Sequence, residues 1–420
     1  MRSPRSVIGF WRRAARFRAV VPIMISLGLI CTGTGLMTVA TSLGLSGPGS
    51  SASTLQVVLT ASPLGFLAGC LIARPLVARF GHERTFLAMA LLTILAAISM
   101  SLTASTAVWA ASRFINGLGL AAIFVVCESW INLYAEDHNR GRYFSLYMLV
   151  TVLSTLLSQL LVEIAGPHSP YLFQIAAVTI GLGLGHSLIV GGRWPALPPG
   201  IQRADAKAAS PALQRYGLRQ LILLAPVTIF GILQSGITNS NVFVMTPIYG
   251  AQAGIDAATT ITLITAFSVG GLVAQAPVGW LSDRFDRRLI LMVQGFLAAL
   301  SCVCIGWLGN RAESLLLVLF FTYGAAAMTI YPVAIAFANS RLDSRDMVSA
   351  SGAFLLLYSF ANVITPGLAA ELMERFAPAA LFVLLASGAG LVAVAAGLNL
   401  RRPAQAMSVP RPMRLPGASE

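Results

Sequence analysis

Apolar residues along this chain come in long blocks separated by short polar interruptions. Twelve blocks stand out, roughly at 20–44, 54–78, 85–105, 108–134, 143–166, 171–192, 220–249, 258–281, 289–309, 314–338, 347–371 and 379–400. A helix needs ~20 apolar residues to cross the hydrocarbon core. The backbone there must satisfy its own hydrogen bonds, so each block is expected to be a helix. Ten-residue alternating strands, which a membrane β-barrel would show, are not visible. The predicted fold class is an all-α membrane protein with twelve transmembrane helices.

Composition supports that reading. Of 420 residues, 56% are hydrophobic and only 10% charged, against about 25% charged in a soluble domain. The basic residues also set a topology. Of 28 Lys and Arg, all but Arg113, Arg311 and Arg375 fall in or beside segments that share one face. That face is therefore cytoplasmic, and both termini lie there. The net charge of +13 then reads as contact with anionic membrane lipids. It does not suggest nucleic-acid binding, because the charges are scattered over seven separate segments. The basic start, RSVIGFWRRAARFR, is expected to lie in the interface before an uncleaved first helix. The five cysteines all fall inside spans, and no metal or disulfide spacing appears.

A polar stretch rich in Pro and Ala separates six spans from six. The expected organisation is a first bundle over 1–192, a linker over 193–219, a second bundle over 220–400 and a tail over 401–420. The halves also resemble each other. PLGFLAGCLIARPLVARF (63–80) lies over SVGGLVAQAPVGWLSDRF (268–285) at a shift of 205, with Gly65 on Gly270 and Arg79 on Arg284. The same shift places Gly119 on Gly324. A parallel repeat of this kind is typical of transporters built from two bundles. GLGLG (181–185) sits inside a span with no strand before it, so close helix packing is expected there, not a nucleotide loop.

GWLSDRFDRR (279–288) resembles the loop signature of the major facilitator superfamily. Gly279, Asp283, Arg284, Arg287 and Arg288 match it, and Asp286 replaces a glycine. The first-half loop, RPLVARFGHER (74–84), keeps Arg79 and Arg84 but has Ala78 where the acid would be. RFINGLGLAA (113–122) is similar to the family's fourth-helix signature. VVCESW, NRGRYFSLYMLV with SQLLV, and IYPVAIAFA resemble the bacterial YcaD-like branch. The resemblance implies two six-helix bundles rocking around a central cavity lined by spans one, four, seven and ten. It also implies a gating role for the loop residues.

Two charges lie within span four. Glu128 is placed ~10 Å from mid-span toward the cytoplasm. A charge in hydrocarbon costs ~2.5–3.5 kcal/mol on insertion scales, so Glu128 is expected to face a cavity. A desolvated carboxyl holds its proton more readily than an exposed one, which suits proton coupling or substrate binding. Arg113 is ~22 Å away along the helix, too far for a direct pair, and ~60° around it. The resemblance gives Arg113 a polar network in the outer half of the first bundle. Thr34, Gln159, Gln234, Asn239, Asn241, Tyr331, Tyr358 and Asn362 are candidate cavity-lining residues, with interhelical hydrogen bonding as the other role open to each.

The expected function is a secondary active transporter of a small organic solute in the inner (cytoplasmic) membrane, coupled to protons and functional as a monomer. No cofactor is expected, since no nucleotide or metal motif is present. A non-transporting receptor on the same fold is the alternative.

Overall fold

The computed structural model describes residues 4–46, 52–134, 140–190, 226–309, 311–340 and 344–401. The expected linker over 193–219, and all but the first residue of the expected tail, lie outside these residues.

Among the described residues the chain forms thirteen helices. In the first half these are α1 (Pro4–Leu45), α2 (Ala52–Phe80), α3 (His82–Leu102), α4 (Thr106–Tyr134), α5 (Arg140–Ala165) and α6 (Leu172–Val190). In the second half they are α7 (Pro226–Ala253), α8 (Ala257–Arg284), α9 (Arg287–Leu308), α10 (Glu313–Ala327), α11 (Ile330–Asn339), α12 (Ser344–Arg375) and α13 (Ala380–Leu400). Nine segments of the described residues are long and apolar enough to cross a membrane, with α10 and α11 together counted as one. Helix α7 is not among them, because Gln234, Asn239, Asn241 and several hydroxyls dilute its apolar run.

Two elements differ from the sequence expectation. The basic start does not form a separate interfacial segment: it is continuous with the first span in α1, of 42 residues. At 1.5 Å per residue that is ~63 Å, about twice the hydrocarbon thickness. The tenth span is broken at Met328–Thr329. Pro332 has no N–H to offer the Met328 carbonyl, which weakens the ladder there. The Thr329 hydroxyl bonds back to the Ala325 and Ala326 carbonyls and accepts the Gln294 amide at 2.6 Å.

Packing is strongest within each half. Helix α2 packs on α4, α1 on α5 and α6, and α3 on α4 and α6; α8 packs on α10, α9 on α13 and α10, and α7 on α12 and α13. Across the halves α2 meets α12, α5 meets α8 and α1 meets α7. In hydrocarbon, helices gain little from burying apolar surface against one another, so close backbone approach matters more. Glycines supply it. A Cβ at Gly65 would collide with the Phe114 carbonyl, and one at Gly117 with the Ser62 carbonyl. In the second half Gly270 faces the Phe321 carbonyl and Gly324 the Phe267 carbonyl in the same way.

These matched contacts correct the repeat. The shift of 205 holds for α2 on α8, but Gly324 corresponds in its contacts to Gly117 (a shift of 207) and not to Gly119. Helix α9 is one residue longer than α3, and the connection after it is one residue longer than that after α3; together these account for the change of register. Gly119 instead faces Thr93 and Met89 of α3. At the corrected shift, Arg113 corresponds to Phe320 and Glu128 to Ile335. The two charges of span four therefore have no counterparts in the other half. In GLGLG, Gly183 packs closely on Ser26 and Ile30 of α1, whereas Gly181 and Gly185 face open space.

Adding a methyl at a glycine seam should cost about 1–3 kcal/mol through overpacking. Gly117→Ala and Gly324→Ala should each lower Tm of the detergent-solubilised chain. Gly390→Ala, where a Cβ meets nothing within 4 Å, should leave it unchanged in the same thermal unfolding assay.

Candidate functional site

A cavity of about 370 Å³ lies between the two halves. Helices α1, α2, α4 and α5 wall it on one side, and α7 and α12 on the other. Pro63 of α2 and Pro366 of α12 both line it. Of the predicted lining residues, Thr34, Asn239, Tyr358 and Asn362 contribute to the wall, together with Arg113. Asn239 is exposed although it sits mid-helix, as a side chain facing an open cavity should be.

Arg113 is the one charged side chain among the described residues of the wall. It is 2% exposed. Its Nη1 donates to the Thr38 hydroxyl at 3.0 Å, and Thr38 in turn donates to the Thr34 carbonyl. Its Nε is buried without a hydrogen-bond partner. Among the described residues no carboxylate pairs with it.

Gln159, Gln234 and Asn241 do not line this cavity; they are buried and bonded between helices. Gln159 of α5 donates to the Ser268 hydroxyl of α8 at 2.9 Å, a link across the two halves. Gln234 donates to Thr238 and to the Leu385 carbonyl of α13. Asn241 donates to Thr365 of α12 at 2.9 Å. Each of these amides donates to a group on another helix, while the amide oxygen of each is buried without a partner. A second crossing contact places Gly367 of α12 against the Gln56 side chain of α2.

Glu128 lies toward the end of α4 that is nearer the chain termini. It is exposed in the structure and, contrary to the expectation that it faces the cavity, is not part of the cavity wall. The Tyr147 hydroxyl of α5 donates to its Oε1 at 3.2 Å. Tyr331, at the start of α11 in the other half, is near enough to feel its charge. The Tyr331 ring meets that of Tyr358 at 5.6 Å, edge to face. Tyr331, a predicted lining residue, is absent from the cavity wall and meets it only through the Tyr358 ring. Sequence reasoning did not single out Tyr147, whose hydroxyl is visible only once α5 is packed on α4.

The signature loop divides its residues between two jobs. Arg287 donates to the Ala336 carbonyl of α11 at 2.9 Å and to Asp283 at 3.4 Å. Asp283 is 76% exposed, so this pair is worth no more than ~1 kcal/mol. Asp286, which replaces the expected glycine, is the stronger acid contact. It caps α9 through the Arg288 backbone N–H and grips the Arg288 guanidinium at 2.7 Å. Arg288 also donates to the Asn399 carbonyl of α13 at 2.7 Å. The helix N-terminus in this loop is thus capped by Asp286, not by Asp283. Arg284 stacks over the Trp280 ring at 3.9 Å. Gly279 meets nothing within 4 Å of where a Cβ would lie. In the first-half loop Arg79 and Arg84 are exposed. There the buried His82 bonds to the Ser129 hydroxyl at 2.8 Å and stacks on Trp130.

The family model described as Major Facilitator Superfamily matches residues 23–261 and 228–419. The chain belongs to this superfamily. An uncharacterized MFS-type transporter YcaD of Salmonella typhi is 30% identical over 325 residues, covering 77% of this chain and 80% of that protein. The chain is accordingly of the YcaD-like branch. A D-xylose-proton symporter structure superposes with a TM-score of 0.72 at 15% identity, over 90% of this chain and 96% of that one. The nucleoside transporter NupG gives 0.72 at 12% identity, over 92% and 100%. The protein is an integral membrane protein with the major facilitator fold and a secondary transporter.

The two loop acids should separate in experiment. Asp286→Ala removes an N-cap, worth about 0.5–2 kcal/mol, and the grip on Arg288, so Tm should fall. Asp283→Asn should leave Tm within experimental scatter, as an exposed and weak pair requires.

Proposed function

We propose that the chain moves a small organic solute across the bacterial inner membrane by alternating access, driven by protons, as a monomer with both termini in the cytoplasm. Glu128 is the proton-carrying group. The observation that carries this reading is its setting. It is an exposed carboxylate in a span, hydrogen-bonded by Tyr147 of its own half and close to Tyr331 of the other. A group in the field of both halves senses their relative position, and its affinity for a proton changes as they move. The solute occupies the cavity around Arg113, Thr34, Asn239, Tyr358 and Asn362.

The same reading gives the signature loop a mechanical part. Arg287 joins the exposed Asp283 to the end of α11, the short helix that begins with Ile330 and Tyr331. Both contacts are weak enough to break and remake in each cycle. The Asp286–Arg288–Asn399 tie is stronger and keeps α9 and α13 together throughout. The break at Met328–Thr329 separates α11 from α10, so the short helix can shift without unfolding the rest of the span.

Glu128→Gln keeps the shape of the side chain and fixes it neutral. In proteoliposomes, with a solute identified by an accumulation screen on a deletion strain, uptake driven by a pH gradient should fall at least tenfold. Solute exchange at equal pH should persist. Wild-type rates in both assays would remove Glu128 from coupling, and binding without any flux in the wild-type chain would favour a receptor.

A further inference from the structure

Arg113 presents a problem that the transport reading leaves unsolved. Its guanidinium is 2% exposed, among the described residues it has no carboxylate partner, and it forms part of the cavity wall. Buried charges are normally paired. Glu128 cannot do this, because it lies fifteen residues along the same helix. The matching position in the other half is Phe320, so the repeat supplies no partner either.

The protein bonds account for only part of the guanidinium. Nη1 donates to Thr38 and Nε is buried and unbonded, while Nη2 makes no hydrogen bond to a described residue. Guanidinium geometry suits a carboxylate, which accepts two parallel N–H bonds. The rest of the wall shows what else the ligand must be. Phe66, Phe124 and Phe243 line the cavity, with hydroxyls and amides such as Thr155, Asn239 and Asn362 between them. At about 370 Å³ the space is at the lower end of the ~300–1,000 Å³ typical of small-molecule sites.

We infer that the cavity takes a small organic anion with a single carboxylate, held by Arg113 beside Thr38, with its apolar body against Phe66, Phe124 and Phe243. A second negative charge on the ligand would find no second cation among the described residues of the wall. A cationic solute would meet an uncompensated guanidinium. This inference rests on the reading of the cavity as the solute site.

The test is made on the full-length chain in detergent at pH 7.5. Tm is followed as sodium acetate, lactate, benzoate and phenylacetate are added, each compared with its neutral amide and with sodium chloride at equal ionic strength. At least one acid should raise Tm at millimolar concentration where its amide and chloride do not. Arg113→Gln should weaken the apparent Kd for that acid by about tenfold or more. Arg113→Lys, which keeps the charge but not the planar fork, should weaken it less. Should Arg113→Gln fail to fold, the contrast of acid and amide in the wild-type chain decides alone. Equal shifts from acid and amide, or no shift from any of the acids, would overturn the inference. Binding needs no turnover. An acid-specific shift in a chain that moves nothing in proteoliposomes keeps the anion and removes the transport reading. Proton-driven uptake of a neutral solute without an acid-specific shift does the reverse.

Discussion

A permanent positive charge held inside an apolar helix bundle is the constraint around which the first half of this protein is organised. Removing the partner of a buried charge costs on the order of 3–5 kcal/mol, so the fold must compensate Arg113 in some way. It does so in part with Thr38, whose hydroxyl accepts from Arg113 and donates to the Thr34 carbonyl one turn away. The remainder falls to the cavity. Placing the charge there requires α2 and α4 to run in close contact, and Gly65 and Gly117 permit it by letting each helix approach the other's carbonyls. The second half repeats the glycine seam through Gly270 and Gly324 but puts Phe320 where the charge would be. One scaffold thus serves a polar wall in one half and a packed core in the other.

The cavity and the Glu128 site are joined by aromatic side chains. Tyr358 belongs to the wall, Tyr331 meets it edge to face, and Tyr331 lies in the field of Glu128. Tyr331 follows the break in the tenth span and stands at the start of a short, separately tethered helix. Its far end is held by Arg287 through the Ala336 carbonyl. A change at the signature loop can therefore reach Tyr331 through ten residues of helix without passing through the hydrocarbon-facing core.

Much of the fold was legible because membrane insertion leaves a coarse signal. Long apolar blocks must be helices, and clusters of arginines between them mark the connections. The break at Met328–Thr329 was not legible, since Pro332 is tolerated in many spans and only the Thr329–Gln294 bond shows why the ladder yields here. The repeat register slipped at α4 because one extra residue in α9 and one in the connection after it shift the fourth span of the second half by two, which a few matched glycines cannot reveal. In the site, Arg113, Thr34, Asn239, Tyr358 and Asn362 were placed by polarity within a span. Polarity alone also selected Gln159, Gln234 and Asn241, which face other helices; rotation about the helix axis decides between the two, and only packing fixes it. Asp286 was read as a lost glycine when it is a cap and a clamp. Its role depends on Arg288 and on the Asn399 carbonyl more than a hundred residues away.

The central claim is that the two halves rock about this cavity. The described contacts across the halves, Gln159 to Ser268 and Gln56 to Gly367, lie away from the chain termini, and these should open as the other end closes. Spin labels at Phe80 and Phe285 would report the termini-bearing end, and labels at Leu102 and Arg311 the opposite end, in a chain freed of its native cysteines. The account predicts that solute and a change of pH shift the two distance distributions in opposite directions, one pair approaching as the other separates. Distributions that stay fixed at both ends under every condition, or that move in the same direction, would contradict it.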